Sequence, residues 1–325
     1  MNSPTDPNFI GLLLLIHQIR QTNRTLGRQT IVPFAELKLP RVAQAYDALI
    51  HILDEQKLIA GDADTFELTP AGLTAVHAIT QRYSLPAWFY NEYYQAVLHS
   101  QAHSLFCERV YGKDLCQHGM ADMDQLHAAL TELQLQANQT LLDFGCGDGR
   151  IAEYIAETTQ TCVTGVDIAD EAIRLAQART FNKRDRLQFY WADIERGQGH
   201  FPTQSFDHIL AIDSLFFARD QQMVTQVLLN HLAPNGKMGV FYICPPQVEA
   251  TETPLAKALH ALGATYRVKD FSAQNTQHWT QKKQVLLALE PMFKAEGNAF
   301  LFKNRLAECD GLEHFQRYLY LIAAA

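Results

Sequence analysis

The 325-residue chain lacks the basic excess that a polyanion-binding protein carries. It has 27 Lys and Arg against 35 Asp and Glu, a formal charge of −8, whereas phosphate contacts need clustered Lys and Arg. Nucleic acid is therefore not expected as its main partner. Paired cysteines are also missing. Cys107, Cys116, Cys146, Cys162, Cys244 and Cys309 form no C-x-x-C pair, and three lie in or beside strand-like runs. This suits reduced thiols in a cytoplasmic protein better than a disulfide framework or a zinc site. No apolar run is long enough to span a bilayer. Phe9–Ile16 is short, follows Asp6 and has no basic flank, so neither a membrane segment nor a signal peptide is expected. His99 and His103 would share a helical face, but no third ligand stands near them, and no metal site is expected. No low-complexity tract or internal repeat is present. The length allows a sizeable core and two domains.

What the chain does have is a glycine-rich turn, Leu141-Leu142-Asp143-Phe144-Gly145-Cys146-Gly147-Asp148-Gly149-Arg150. It reads as an apolar strand, a sharp turn and the start of a helix. Glycines at alternate positions leave room for backbone bending and for close approach of a ligand. A dinucleotide site reads G-x-G-x-x-G; here the third glycine comes one residue early and Arg150 stands in its place. Cys162–Asp167 is a second strand ending in an acid, 24 residues after Asp143, where doubly wound sheets hold ribose hydroxyls. A helix is expected over Ala169–Thr180, then a strand Leu187–Trp191 leading to Ala192-Asp193-Ile194. A fourth strand runs from Phe206 toward Ile212, Asp213, Ser214 and Leu215. Leu228–Pro234, Asn235-Gly236 and Lys237–Ile243 read as helix, turn and fifth strand. Strands alternating with amphipathic helices predict an α/β, doubly wound, seven-stranded sheet.

The D-x-G-x-G-x-G phrase with its downstream acids resembles motif I of the class I S-adenosylmethionine-dependent methyltransferases. The resemblance implies S-adenosylmethionine as cofactor. It implies a cofactor site made by Asp143, Gly145, Cys146, Gly147, Asp167, Ile168, Asp193, Ile194 and Ile212, with Gln117 from a preceding cap. In that family the second-strand acid meets the ribose and the acid at the Asp193 position faces the adenine amino group.

Residues 1–85 read as a separate helical module. Phe9–Arg24 is an apolar-rich helix, and Leu39–Lys57 carries Val42, Ala45, Tyr46, Leu49, Ile52 and Leu53 on one face. Two short extended pieces then flank a Gly/Asp turn, and Thr69-Pro70 caps a further helix. This order resembles a winged helix. Across residues 9–85 seven Lys and Arg meet seven Asp and Glu, too neutral for a DNA reader. The dimerisation modules of natural-product O-methyltransferases are the better likeness, which implies a homodimer.

Residues 86–136 form an aromatic-rich helical cap or linker with Tyr90, Tyr93 and Tyr94. Its stretch Tyr111-Gly112 through Gly119, about 25 residues before motif I, resembles the cap of small-amine methyltransferases of the phosphoethanolamine and sarcosine type. Residues 137–325 form the methyltransferase domain. In it Thr253–Gly263 is a helix, Thr265–Phe271 a sixth strand and Phe315–Ile322 an edge strand, although the family's last strand is slotted antiparallel between its neighbours. The insertion Ser272–His314, with His278-Trp279 and a helix through Val285–Leu289, would roof the acceptor pocket.

Methyl transfer from a sulfonium is an in-line displacement that needs a neutral nucleophile held about 3–3.5 Å from the methyl group, with water excluded. A protonated amine must first lose its proton, for which His118, Asp213 and a Tyr of the cap are the candidates, His118 and Asp213 being the ones taken as catalytic. Tyr111, Asp213 and Phe217 are expected to bind a small-molecule acceptor. Two phrases are absent. The acid-x-x-x-His pattern of phosphoethanolamine enzymes has Phe217 in place of the His. No Asn/Asp-Pro-Pro-Tyr/Phe phrase follows strand four, and Cys244-Pro245-Pro246 falls after strand five. The alternatives are a nucleic-acid methyltransferase and a DNA-binding regulator that senses S-adenosylmethionine.

Overall fold

The computed structural model describes residues 6–312 and 314–323. The chain divides into two compact units, Met1–Ala96 with Asn298–Asn304, and Val97–Gly297 with Arg305–Ala325. The division thus falls eleven residues after position 85 and takes part of the late insertion into the first unit.

The first unit is built from α1 (Pro7–Arg20), α2 (Arg28–Lys38), α3 (Pro40–Gln44), α4 (Tyr46–Glu55), the strands β1 (Ile59–Gly61) and β2 (Phe66–Leu68), α5 (Pro70–Arg82) and α6 (Leu85–Val97). Asp6 caps α1 by accepting the Asn8 amide, and Thr69 caps α5 by accepting the Gly72 amide. Strands β1 and β2 form an antiparallel hairpin. Leu12, Leu15 and Ile16 of α1 pack with Ile31, Val42, Leu49, Leu53 and Val76 in one core. Two expectations need correction here, and one helix was not foreseen. The first helix starts at Pro7 and ends at Arg20. The Leu39–Lys57 segment is two helices, because Ala45 leaves helical geometry at φ −94° and ψ 7°. Helix α2 had no periodic signal: it holds Pro33 and buries only Ile31 and Ala35.

The second unit opens with α7 (Gln101–Tyr111) and α8 (Met123–Leu133), followed by β3 (Thr140–Phe144), α9 (Arg150–Thr159), β4 (Cys162–Asp167), α10 (Asp170–Arg179), β5 (Leu187–Asp193), β6 (Gln198–Gly199), β7 (Phe206–Ile212), α11 (Gln221–Asn230), β8 (Leu232–Cys244), α12 (Pro254–Ala261) and β9 (Tyr266–Asp270). It closes with α13 (Ser272–Ala295) and β10 (Gln316–Ala323), while the first half of α14 (Ala299–Cys309) is counted with the first unit and the part from Arg305 with the second. The sheet order is β6-β5-β4-β3-β7-β8-β10-β9. Strands β5, β4, β3, β7 and β8 are parallel, while β10 runs antiparallel between β8 and β9. Period-two alternation divides each strand between two cores. Leu142, Ile209 and Val240 pack with Val224 and Leu228 of α11 and Leu255 of α12. Their chain neighbours Leu141, Leu210 and Phe241 pack with Leu126 of α8, Ile155 of α9 and Ile173 of α10.

Among the described residues the sheet has eight strands where seven were expected, because the two-residue β6 pairs antiparallel beside β5. Strand β10 is interior and β9 is the edge, so the edge reading of Phe315–Ile322 fails and the family ending holds. The helix placed at Leu228–Pro234 lies earlier, at Gln221–Asn230. Asn235-Gly236 falls inside the strand run, where pairing with β7 shifts register. The insertion is mainly one 24-residue helix, α13. Among the described residues no helix is long and apolar enough to cross a membrane.

Candidate active site

Parallel strands end together at one edge of the sheet, and the glycine turn lies on that edge. The Gly145 and Cys146 amides both donate to the Val166 carbonyl, at 2.8 and 3.1 Å, fixing the turn to the end of β4. Gly145 sits at φ +79°, and a Cβ there would lie 2.3 Å from Ser214 Cβ, so only glycine fits. Ser214 Oγ in turn donates to the Phe144 carbonyl at 2.6 Å. Asp167, at the end of β4, accepts the Gly147 amide on one oxygen and the Ala169 amide on the other, each at 2.8 Å. Trp191 Nε1 donates to the Ile168 carbonyl at 2.9 Å. Asp193 ends β5 and accepts the Arg196 amide at 3.1 Å and the Arg196 guanidinium at 2.8 Å. Ile194 opens the short turn that follows, and Ile212 ends β7.

Asp143 is the exception on this edge. It is buried, and its Oδ2 has no hydrogen-bond partner. Burial pushes its carboxyl up to about 7, and the nearby Asp167 charge adds to the shift. Asp167 is raised by burial too, opposed by the amides it accepts.

The cap meets the same edge. Gly119 lies so close to Asp213 that a Cβ on it would be 2.5 Å from Asp213 Oδ2. Asp213 takes the left-handed conformation, φ +52°. It accepts the Met120 amide at 2.7 Å and both Arg317 nitrogens, at 2.6 and 3.1 Å. Arg317 is fully buried and gives its Nε to Gln125 Oε1 at 2.5 Å. Tyr111 donates its hydroxyl to the Gly119 carbonyl at 2.8 Å, and burial raises its pKa. Gln117 accepts the Leu115 amide with its side chain and Arg305 with its carbonyl. The His118 carbonyl accepts Arg305 Nη1 at 2.6 Å, while its ring stands 3.4 Å from Glu308 Oε1.

Tyr111, Gln117, His118 and Asp213 are therefore gathered around one cap loop. Phe217 is 46% exposed, with its ring 4.6 Å from that of Phe216. Arg317, Gln125, Arg305 and Glu308 were not anticipated. The one available signal was an arginine inside the otherwise apolar-aromatic strand Arg317–Ile322.

Residues 141–236 match the family model described as a methyltransferase domain. Phosphoethanolamine N-methyltransferase 1 of Arabidopsis thaliana is 27% identical over 150 residues, covering 46% of this chain and 29% of that protein. The 27-O-demethylrifamycin SV methyltransferase of Amycolatopsis mediterranei is 30% identical over 152 residues, covering 42% and 55%. The chain thus spans between about a quarter and just over half of these relatives' own lengths. A solved phosphoethanolamine N-methyltransferase 2 of Haemonchus contortus, in complex with phosphomonomethylethanolamine and S-adenosylhomocysteine, shares the fold. Its TM-score is 0.52 at 15% identity, over 72% of this chain and 60% of that one. The fold is shared with that methyltransferase, and the segment that builds the glycine turn and its three acids lies within the match to the methyltransferase-domain model.

Proposed function

We propose that the chain transfers a methyl group from S-adenosylmethionine to a small-molecule acceptor by in-line displacement. The observation that carries this reading is the unpartnered, buried Asp143 oxygen beneath a glycine turn. A buried acceptor without a donor is costly, and a cofactor bearing an ammonium and a sulfonium supplies the missing positive charge. Bound there, S-adenosylmethionine supplies an already activated methyl group.

The residues then divide the work. Gly145, Cys146 and Gly147 let the backbone approach the cofactor. Asp167 retains lone pairs beside its two amide bonds and takes the ribose hydroxyls. Asp193, Ile168, Ile194 and Ile212 surround the adenine end, with Asp193 held in orientation by Arg196. Gln117 holds the cap loop closed over the site. Asp213 is reassigned: with both oxygens taken by Arg317 and the Met120 amide, it latches the cap to the sheet and is no proton acceptor. His118 keeps the proton-holding role, and Tyr111 and Phe217 serve as acceptor walls. The first unit acts as a winged-helix-like dimerisation module, the 272–314 segment as an acceptor lid, and the protein works in the cytoplasm.

Calorimetry with S-adenosylhomocysteine on folded protein tests the cofactor, with heat of binding expected. Incubation with methyl-labelled cofactor and separate pools of metabolites and tRNA tests the acceptor, with label expected in metabolites only. Label in tRNA, or a gel shift with nonspecific DNA, would favour the nucleic-acid alternatives.

A further inference from the structure

Arg150 stands where a dinucleotide turn would carry its last glycine, and the contacts proposed for cofactor and acceptor leave it aside. It is the first residue of α9, directly after the turn. Its Nη1 donates to Asp114 Oδ2 of the cap at 3.3 Å, and its Nε approaches Asp148 Oδ2 of the turn at 3.1 Å. Asp114 is itself fixed to the cap. Its Oδ2 accepts the Ser104 hydroxyl of α7 at 2.6 Å and its Oδ1 accepts the Cys116 amide at 3.0 Å. Asp148 has a second cation: Arg179 Nη1 lies 3.6 Å from its Oδ2, and Arg179 Nη2 donates to its carbonyl at 2.8 Å. Arg150 thus bridges a carboxylate of the cap and a carboxylate of the glycine turn.

Two ties join the loop between α7 and α8 to the sheet and its turn, and they differ in strength. Near the end of the loop Asp213 accepts the Met120 amide and holds Arg317, the two side chains being 3% and 0% exposed. Near its start the Asp114 and Arg150 side chains are 24% and 32% exposed. Opening the first pair would strand a buried charge. Water and salt reach the second, and a pair of that kind is held weakly. A cavity of about 370 Å³ lies beside the weaker tie, lined by Asp114 and Arg150 together with Ser100, His103, Ser104 and Cys116. Its polar walls suit the passage of a zwitterion, and Cys116 precedes Gln117, the cap residue assigned to the cofactor.

We propose that Asp114 and Arg150 are positioning residues that clasp the cap loop to the glycine turn, and that this clasp opens to let the cofactor pass through the adjoining cavity. The identity of the ligand that passes rests on the methyl-transfer reading. The loop swings on its Asp213–Arg317 end and lets go at Asp114. A clasp that gates passage without touching the ligand sets the rates of entry and release, and leaves the affinity to the turn.

The test measures association and release of S-adenosylhomocysteine on the immobilised full chain by surface plasmon resonance. This ligand carries no net charge, so the salt dependence of its rates reports the protein's own ion pairs. Raising sodium chloride from about 0.05 to about 0.5 M should speed release from wild type by about twofold or more. In Arg150→Met both rates should rise by about twofold to fivefold at low salt, with the dissociation constant unchanged within about twofold and the salt response lost. Asp114→Asn should do the same, and the double variant should add nothing further. Arg150→Lys keeps the charge and should restore most of the slow exchange. Unaltered rates in Arg150→Met overturn the clasp and leave Arg150 as a packing residue. A fall in affinity with association unchanged overturns it too, and makes Arg150 a direct cofactor contact. Both carboxylates keep other partners in Arg150→Met, so it should fold. Should it not, wild type and Asp114→Asn carry the test, and a flat wild-type salt response overturns the clasp. If folded wild-type protein binds no S-adenosylhomocysteine, the methyl-transfer reading falls and the clasp falls with it.

Discussion

The glycine turn and the helical cap treat a buried carboxylate in opposite ways. At the turn, backbone amides satisfy Asp167 and leave one buried acceptor, on Asp143, without a donor. At the cap, Asp213 is met on both oxygens by the Arg317 guanidinium and on one by the Met120 amide. The turn leaves a carboxylate for a bound cation to meet, whereas the cap meets its own, and the Asp213–Arg317 pair ties the cap to the sheet.

Breaking that joint should have the largest effect. Arg317→Met leaves Asp213 buried without its cation, and loss of one partner of a buried pair costs about 3–5 kcal/mol. Urea unfolding should register this loss. Adding Asp213→Asn should recover much of it, since the neutral amide no longer needs the guanidinium. An undiminished midpoint in Arg317→Met would show that the latch does not hold the cap.

The turn alone is sharpened by Asp167→Ala. Removing the acceptor for two loop amides and for the ribose should weaken S-adenosylhomocysteine by roughly 1–3 kcal/mol in calorimetry. An unchanged affinity would mean that Asp167 does not meet the cofactor.

Asp143 makes the same comparison through pH. Its folded-state pKa of about 7 lies above the ordinary 3.8, so between these values the folded protein holds a proton that the unfolded chain has lost. This contribution to stability is full below about pH 4 and is lost as pH rises through 7. Asp143→Asn should therefore gain roughly 1–3 kcal/mol relative to wild type between pH 4 and pH 8. Urea midpoints at the two pH values check it, and a constant difference would refute the unpaired carboxyl.

The smallest effect on binding is expected from His118→Ala. Once an acceptor is in hand, single-turnover rates should fall by about 10²-fold or more, while S-adenosylhomocysteine affinity stays within about twofold, because a proton holder acts on the nucleophile. An unaltered rate would make His118 a cap-packing residue.

The same contrast explains what could be read from sequence. The turn was legible because it is local: an apolar strand, three glycines and an acid at the end of the next strand fix a chain segment of some two dozen residues. Asp143, Gly145 and Asp167 consequently fall on one edge. The cap was not. Asp213 and Arg317 are 104 positions apart, and Arg305 reaches the Gln117 carbonyl from 188 positions away. Nothing local in Gln316-Arg317-Tyr318 marks that arginine as the partner of a carboxylate on another strand. The split at Ala45 and the strand run through Asn235-Gly236 were hidden for a similar reason: tertiary packing overrides local propensity there.

The central claim is that the buried Asp143 carboxylate is completed by the cofactor's ammonium group, which S-adenosylmethionine and S-adenosylhomocysteine share. Calorimetry of S-adenosylhomocysteine binding, in buffers of differing ionisation enthalpy between pH 5.5 and 8, measures it directly. The account predicts proton release at the acid end, with affinity rising by about threefold to tenfold as pH climbs toward 7, and loss of both in Asp143→Asn. Folded protein that binds S-adenosylhomocysteine with no proton release and a flat pH profile would contradict it.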